Sequence, residues 1–125
     1  MEKFAYIVET EKSFQDTVIS VLKEIEKKSY TIFQIYDIQE RLKSRGFEHK
    51  QLKIIEFCSA KYSNSILNKN KSASLFMPCK INIYEEDNKV KIASLNPLFV
   101  SEIIPGLGDL KEIEQEIKQI LDNSK

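Results

Sequence analysis

Two segments, KIIEFCSAKY at residues 53–62 and LFMPCKINIY at residues 75–84, contain both cysteines of the chain and its clearest strand patterns. From Lys80 to Tyr84 apolar residues alternate with polar ones, a period typical of a strand with one buried face. A polar turn follows at residues 85–88, and the alternation resumes in residues 89–94. The pattern predicts a β-hairpin, with the two quoted segments near the centre of the sheet.

Strands and helices are predicted to alternate before these segments. The apolar and β-branched run from Lys3 to Thr10 predicts a first strand, and residues 30–36 predict a second. Between them, Ser13 is suited to cap a helix whose apolar residues recur at helical spacing. A short helix from Ile38 is expected to end just before Gly46, where a left-handed residue costs least.

Three further helices are predicted in the C-terminal half. The first is expected at residues 59–68, and residues 68–74 then form a loop or a further helical turn. Asn96-Pro97 is a favourable start for the second helix. Asp109 and Glu112 resemble a capping box for the last helix, whose apolar stripe comprises Leu110, Ile113, Ile117, Ile120 and Leu121.

The resulting order, β-α-β-(α)-β-α-β-β-α-α, predicts an α+β fold. We expect a mainly antiparallel sheet of about five strands with helices packed against it, in a single domain of residues 1–125. The length of 125 residues and a hydrophobic content of 42% are those of one soluble domain.

The charge of the chain limits its partners. Nineteen basic and nineteen acidic residues cancel, so no overall field attracts nucleic acid or an anionic membrane. The first residues lack the pattern of a signal peptide, and no stretch approaches the roughly 18 apolar residues of a membrane span, which predicts a cytoplasmic protein. Residues 49–80 are rich in lysine and residues 101–125 in acids, an asymmetry that could steer one copy onto another.

Cys58 and Cys79 are the candidate reactive residues. Twenty residues separate them, unlike the two-residue gap of redox and zinc-knuckle motifs. If their strands are neighbours, both sulfurs approach one rim of the sheet. Cys58 precedes a predicted helix and lies near Lys61, while Lys80 follows Cys79; nearby positive charge lowers a thiol pKa. Packing in the core, a redox or metal-binding role and a disulfide all stay open.

Other candidate sites are weaker. His49, the one histidine, could join Cys58 and Cys79 as a metal ligand only if the fold gathers all three, and the spacing does not require it. A serine or cysteine hydrolase would require His49 to meet Cys58, Cys79 or a serine. The acids at residues 85–87 are interpreted as a turn, and the Gly106-Leu-Gly108 sequence as the end of a helix. No cofactor is predicted.

The chain from about Tyr6 to Val100 resembles the bacterial and archaeal family named domain of unknown function 302. The resemblance depends on the strand ending at Phe57-Cys58 and the short helix after it, on the segment FMPC at residues 76–79 leading into KINIY, and on ASLNP at residues 93–97. Ser59-Ala60 stand here where the family often has Asn-Pro. The resemblance implies an antiparallel sheet covered by helices, commonly a dimer, and no established reaction.

These observations favour a non-enzymatic binding or interaction module. The sequence contains an intact α+β domain but no catalytic constellation, so we expect a homodimer that holds a small ligand or a protein partner, without nucleic acid or membrane. The alternative is a thiol-based redox, sulfur-handling or soft-metal-binding protein, in which Cys58 attacks and Cys79 resolves.

Overall fold

The computed structural model describes residues 3–125 and contains five strands, five α-helices and one 3₁₀ helix within that range. In chain order these are β1 (Ala5–Thr10), α1 (Phe14–Lys27), β2 (Thr31–Asp37), α2 (Ile38–Lys43), β3 (Leu52–Cys58), α3 (Ala60–Lys69), the 3₁₀ helix (Lys71–Phe76), β4 (Cys79–Glu86), β5 (Lys89–Leu95), α4 (Pro97–Ile103) and α5 (Lys111–Ser124).

The strands form one antiparallel sheet in the order β1-β5-β4-β3-β2. The predicted α+β class is therefore confirmed, and the two segments that contain the cysteines supply the middle strand β4 and its neighbour β3. The register pairs Phe57 with Cys79 and Ile81 with Ser94. Because side chains alternate along a strand, this register determines which residues share a face of the sheet.

The core lies on the face of the sheet that α1 and α5 cover. Strands β3, β4 and β5 contribute to this core five side chains with no exposed surface, namely Ile55, Phe57, Ile81, Ile83 and Ile92. Burying each of them contributes about 1.5–3 kcal/mol from the hydrophobic effect. This apolar layer holds α1 and α5 on one side of the sheet.

Helix α1 begins as the sequence predicts. The Ser13 hydroxyl accepts a hydrogen bond from the Asp16 backbone N–H at 3.1 Å and so caps the first turn. The predicted stripe is buried, from Phe14 through Val18 and Val21 to Ile25. The residues that face the sheet are thus those that recur at helical spacing.

The start of the last helix differs from the sequence prediction. Helix α5 begins at Lys111, and the Asp109 carboxylate accepts a hydrogen bond from the Lys111 N–H at 2.9 Å. Leu110 occupies the cap position without a side-chain hydrogen bond, so Asp109 and Glu112 do not form the predicted capping box. Of the two alternatives predicted for residues 68–74, the structure has the further helical turn, a 3₁₀ helix that begins at Lys71 and is capped by Asn70.

The turn and the edge of the sheet contain two local irregularities. Asp87 and Asn88, between β4 and β5, have φ angles of 55° and 62°, a conformation that short polar side chains tolerate. In edge strand β2 the pairing shifts by one residue between Ile32 and Gln34, and Phe33 there is 56% exposed. Of the acids predicted to form the turn, Asp87 lies in it, whereas Glu85 and Glu86 end strand β4 and pair with β5, so the prediction is wrong for these two residues.

Truncating a core isoleucine of α1 will destabilise the protein strongly. Ile25 has no exposed surface, whereas Ile19 on the same helix is 41% exposed. We expect Ile25→Ala to lower the free energy of unfolding by about 2–5 kcal/mol and Ile19→Ala to change it by less than about 1 kcal/mol. Urea denaturation of both variants measures the difference, and equal losses would contradict the assigned core.

Candidate functional site

An apolar cavity of about 200 Å³ lies between the sheet and the C-terminal helices. Helices α4 and α5 and the 3₁₀ helix form one side, and the start of β4 and the end of β5 form the other. Its wall includes Ala73, Met77, Cys79, Val100, Ile113 and Ile117. Leu75, which is 84% exposed, also lines the cavity and brings it to the protein surface.

Polar groups around the cavity are bonded to the backbone, which leaves its wall apolar. The Ser94 hydroxyl, which lines the cavity, donates a hydrogen bond to the Lys80 carbonyl oxygen at 2.8 Å. The Asn96 side chain accepts from the Leu98 N–H at 3.0 Å and caps α4. The Asn70 amide donates to the Pro105 carbonyl at 3.1 Å, which joins the 3₁₀ helix to the loop after α4. These bonds hold the elements that enclose the cavity.

Cys79 lies in the cavity wall at the start of β4. Burial raises the pKa of its thiol to about 11, the proximity of Cys58 adds to the increase, and the positive charge of Lys80 opposes it. With a pKa of about 11, about one Cys79 thiol in ten thousand is ionised at pH 7. The cavity therefore contains a neutral thiol, which is a poor nucleophile.

Cys58 ends β3, at the same end of the sheet as Cys79 on the neighbouring strand. Both cysteines are free thiols. Cys79 pairs with Phe57, so strand alternation directs the Cys58 side chain towards the other face. The Cys58 sulfur lies 2.9 Å from the Ser63 hydroxyl oxygen of α3. The fold thus brings the two cysteines to one rim of the sheet while aiming their side chains apart.

The lysines that the sequence places beside the cysteines have acidic partners. The Lys61 ammonium lies 3.4 Å from the Glu112 carboxylate of α5, and it also lies over the ring of Tyr62. The Lys80 ammonium lies 3.9 Å from the Glu56 carboxylate. The two carboxylates offset part of these positive charges, while the charge of Lys80 still acts to lower the pKa of the Cys79 thiol.

His49 lies at the opposite end of β3 from the cysteines. It precedes Leu52, the first residue of this strand, whereas Cys58 is the last. At about 3.3 Å per residue the strand spans roughly 20 Å, so the structure does not bring His49 to the two sulfurs. Across residues 3–125, no group of three or more His, Cys, Asp or Glu side chains could hold a metal ion.

A tyrosine–carboxylate cluster near the cysteines was not found from the sequence. Glu116 of α5 accepts hydrogen bonds from the hydroxyls of Tyr30 and Tyr62, at 2.5 and 2.6 Å. Burial and the bonds to Glu116 raise the pKa of both tyrosines, so they stay neutral donors. The Tyr30 ring stacks on Phe57 with 5.7 Å between centroids. The three residues are far apart in the chain, and no local spacing indicates that they meet.

A five-stranded antiparallel sheet with an apolar cavity beneath its helical layer defines the class of this α+β protein. The family model described as Domain of unknown function DUF302 matches residues 6–124, and the chain belongs to this family. The resemblance noted in the sequence is thereby confirmed.

A solved structure supports the same fold. The chain is similar to the crystal structure of an uncharacterized conserved protein DUF302 from Bacillus stearothermophilus, with a TM-score of 0.92 and 22% sequence identity. The match covers 99% of this chain and 100% of that one. At this identity it supports the fold alone. Comparison with curated proteins gives no match. Within residues 3–125, no helix is both long and apolar enough to cross a membrane.

The raised pKa of Cys79 predicts slow alkylation with a late pH dependence. In a Cys58→Ser variant, the rate of Cys79 modification by iodoacetamide should rise about tenfold per pH unit from pH 7 to pH 10, because only the thiolate reacts. Burial, the main cause of the raised pKa, persists in this variant. Mass spectrometry follows the reaction, with the same variant in urea as the control. A plateau below pH 9 in the folded protein would contradict the neutral thiol.

Proposed function

We propose that the protein is a non-enzymatic binding module that holds a small apolar molecule in the cavity between the sheet and helices α4 and α5. The observation that carries this proposal is the cavity itself, whose walls are apolar and whose neighbouring polar groups are bonded to the backbone. A ligand with polar groups would lose hydrogen bonds to water on entering, whereas an apolar ligand would not.

The size of the cavity limits the ligand. Its volume is about 200 Å³, whereas pockets for drug-sized ligands have volumes of roughly 300–1,000 Å³. Apolar cavities of about 150 Å³ bind benzene or xenon. The best match is therefore a molecule of about one ring or a short alkyl chain.

The chemistry of the wall favours holding a ligand over transforming it. Cys79 is the one thiol that lines the cavity, and its raised pKa keeps it protonated at neutral pH. A neutral thiol packs against an apolar ligand as a small, polarisable side chain. We infer a binding role without catalysis.

A homodimer in the cytoplasm, without nucleic acid or membrane, completes the proposal. Its support is the balanced total charge with a lysine-rich segment and an acidic C-terminal segment. Part of this asymmetry is neutralised within one chain, as in the contact between Lys61 and Glu112. The remaining lysines of one copy can attract the remaining acidic residues of a second copy.

A thiol-based redox, sulfur-handling or soft-metal-binding role is the second candidate. It is favoured by the positions of Cys58 and Cys79 at one end of neighbouring strands, close enough for one thiol to affect the pKa of the other. In this scheme Cys58 attacks and Cys79 resolves. The high pKa of Cys79 opposes the resolving step, which requires a thiolate.

Filling the cavity will abolish binding of an apolar probe. Val100 and Ile103 both lie on α4; Val100 lines the cavity, whereas Ile103 is 53% exposed and outside it. We expect benzene to raise the thermal unfolding midpoint of the wild type and of Ile103→Phe, but not of Val100→Phe, because the added ring occupies the ligand space. A calorimetric scan with and without benzene measures this. Equal shifts in the three proteins, or none in the wild type, would contradict the proposal.

The proposed homodimer is tested by its mass in solution. Light scattering after size-exclusion chromatography should give twice the mass of one chain at low salt, with weaker association at high salt if opposite charges contribute. A mass of one chain at every protein and salt concentration would refute the dimer and leave the cavity proposal intact.

A further inference from the structure

A second cavity, of about 480 Å³, lies on the opposite face of the sheet from the apolar cavity. Leu52, Asn82 and Tyr84 occupy strand positions that alternate with the buried residues Ile81 and Ile83, which places them on the face away from α1 and α5. Helix α2 and the loop before β3 complete this cavity. Its volume falls within the range of small-molecule sites.

Asn82 is an unusual residue at this position. It lies in the middle strand, with Ile54 opposite it on β3 and Ala93 opposite it on β5. Its side-chain oxygen has almost no solvent exposure, and no donor within residues 3–125 reaches it. Leaving a buried acceptor without a partner destabilises a fold, so a carboxamide here calls for an explanation.

Several charged and polar groups on the same face are paired. Tyr36 donates a hydrogen bond to Glu56 at 2.8 Å, and the Lys80 ammonium lies 3.9 Å from the same carboxylate. The Lys91 ammonium lies 2.7 Å from Glu86. Asn82 Oδ1 is the one buried side-chain N or O atom of residues 3–125 that lacks a partner. The buried oxygen that lacks a donor therefore belongs to a residue that lines the cavity.

The geometry points to a binding site for a planar, uncharged cyclic amide, whose N–H donates to Asn82 Oδ1 and whose carbonyl accepts from Asn82 Nδ2. The Asn side chain presents an acceptor and a donor side by side, and a cyclic amide presents the matching pair. Rotation about the terminal torsion of Asn is soft, so the carboxamide can turn its oxygen towards the cavity.

The rest of the cavity suits the ring of such a ligand. Ile38 and Leu42 of α2 and Leu52 of β3 provide apolar surface, and Tyr84 provides an aromatic side chain. Glu85 Oε1 accepts hydrogen bonds from both the backbone and the side chain of Gln51, which holds this carboxylate at the edge of the cavity. His49 and Lys50, from the loop before β3, also line the cavity. Asn82 differs from them in having a buried oxygen without a partner, so it is the group that a ligand would satisfy. The site is separate from the apolar cavity, and its test is independent of that proposal.

The test uses two probes that differ by one hydrogen-bond donor. We expect 2-pyridone, titrated into the ¹⁵N-labelled full-length protein, to cause saturable shifts of amide signals around residues 38–42, 52 and 82–84. N-methyl-2-pyridone lacks the N–H and should bind at least about tenfold more weakly. No saturation, equal binding of both probes, or shifts centred on Ala73 and Val100 would overturn the inference.

Matched variants test the role of Asn82. Asn82→Leu, which removes both hydrogen-bonding atoms, should weaken 2-pyridone binding at least about tenfold, whereas Asn64→Leu at an exposed position of α3 should not change it. The thermal midpoint of Asn82→Leu should equal or exceed that of the wild type, because the buried oxygen has no partner to lose. Unchanged binding, or a lower midpoint, would overturn the assignment.

Discussion

Burial of the apolar side chains of β3, β4 and β5 beneath two amphipathic helices is the interaction on which the other features depend. Ile55, Ile81 and Ile92 have no exposed surface, and helices α1 and α5 cover this part of the sheet. The conformational entropy lost on folding is offset mainly by such burial. Because the apolar residues alternate along each strand, the same interaction determines which side chains face the helices and which face α2.

The apolar cavity forms beside this layer, where shorter elements replace the long helices. Helix α4 and the 3₁₀ helix have seven and six residues, against fourteen for α1 and for α5. Asn70 and Asn96 cap these short elements, so side-chain hydrogen bonds position them where little helical length is available. The burial of Cys79 at this point is what makes its thiol weakly acidic.

The parts of the structure that the sequence could predict depend on local patterns. Alternation at residues 80–84 and 89–94 predicts the hairpin, and the stripe from Ile113 to Leu121 predicts the buried face of α5. The cluster of Tyr30, Tyr62 and Glu116 could not be predicted, because its members meet only after α3 and α5 have packed. The two cavities depend on the same long-range packing. The charges around the thiols could likewise not be predicted, since the acidic partners of Lys61 and Lys80 come from other elements.

The irregular pairing at Phe33 has a consequence for how the molecule meets its neighbours. Strand β2 is the end of the sheet, and a regular open strand presents unpaired N–H and C=O groups on which another chain can extend the sheet. The one-residue shift between Ile32 and Gln34 disrupts the spacing of these groups and bends the strand locally. An incoming strand therefore cannot match its hydrogen bonds along the whole edge. This protects the folded protein against growth into fibrous aggregates from that side.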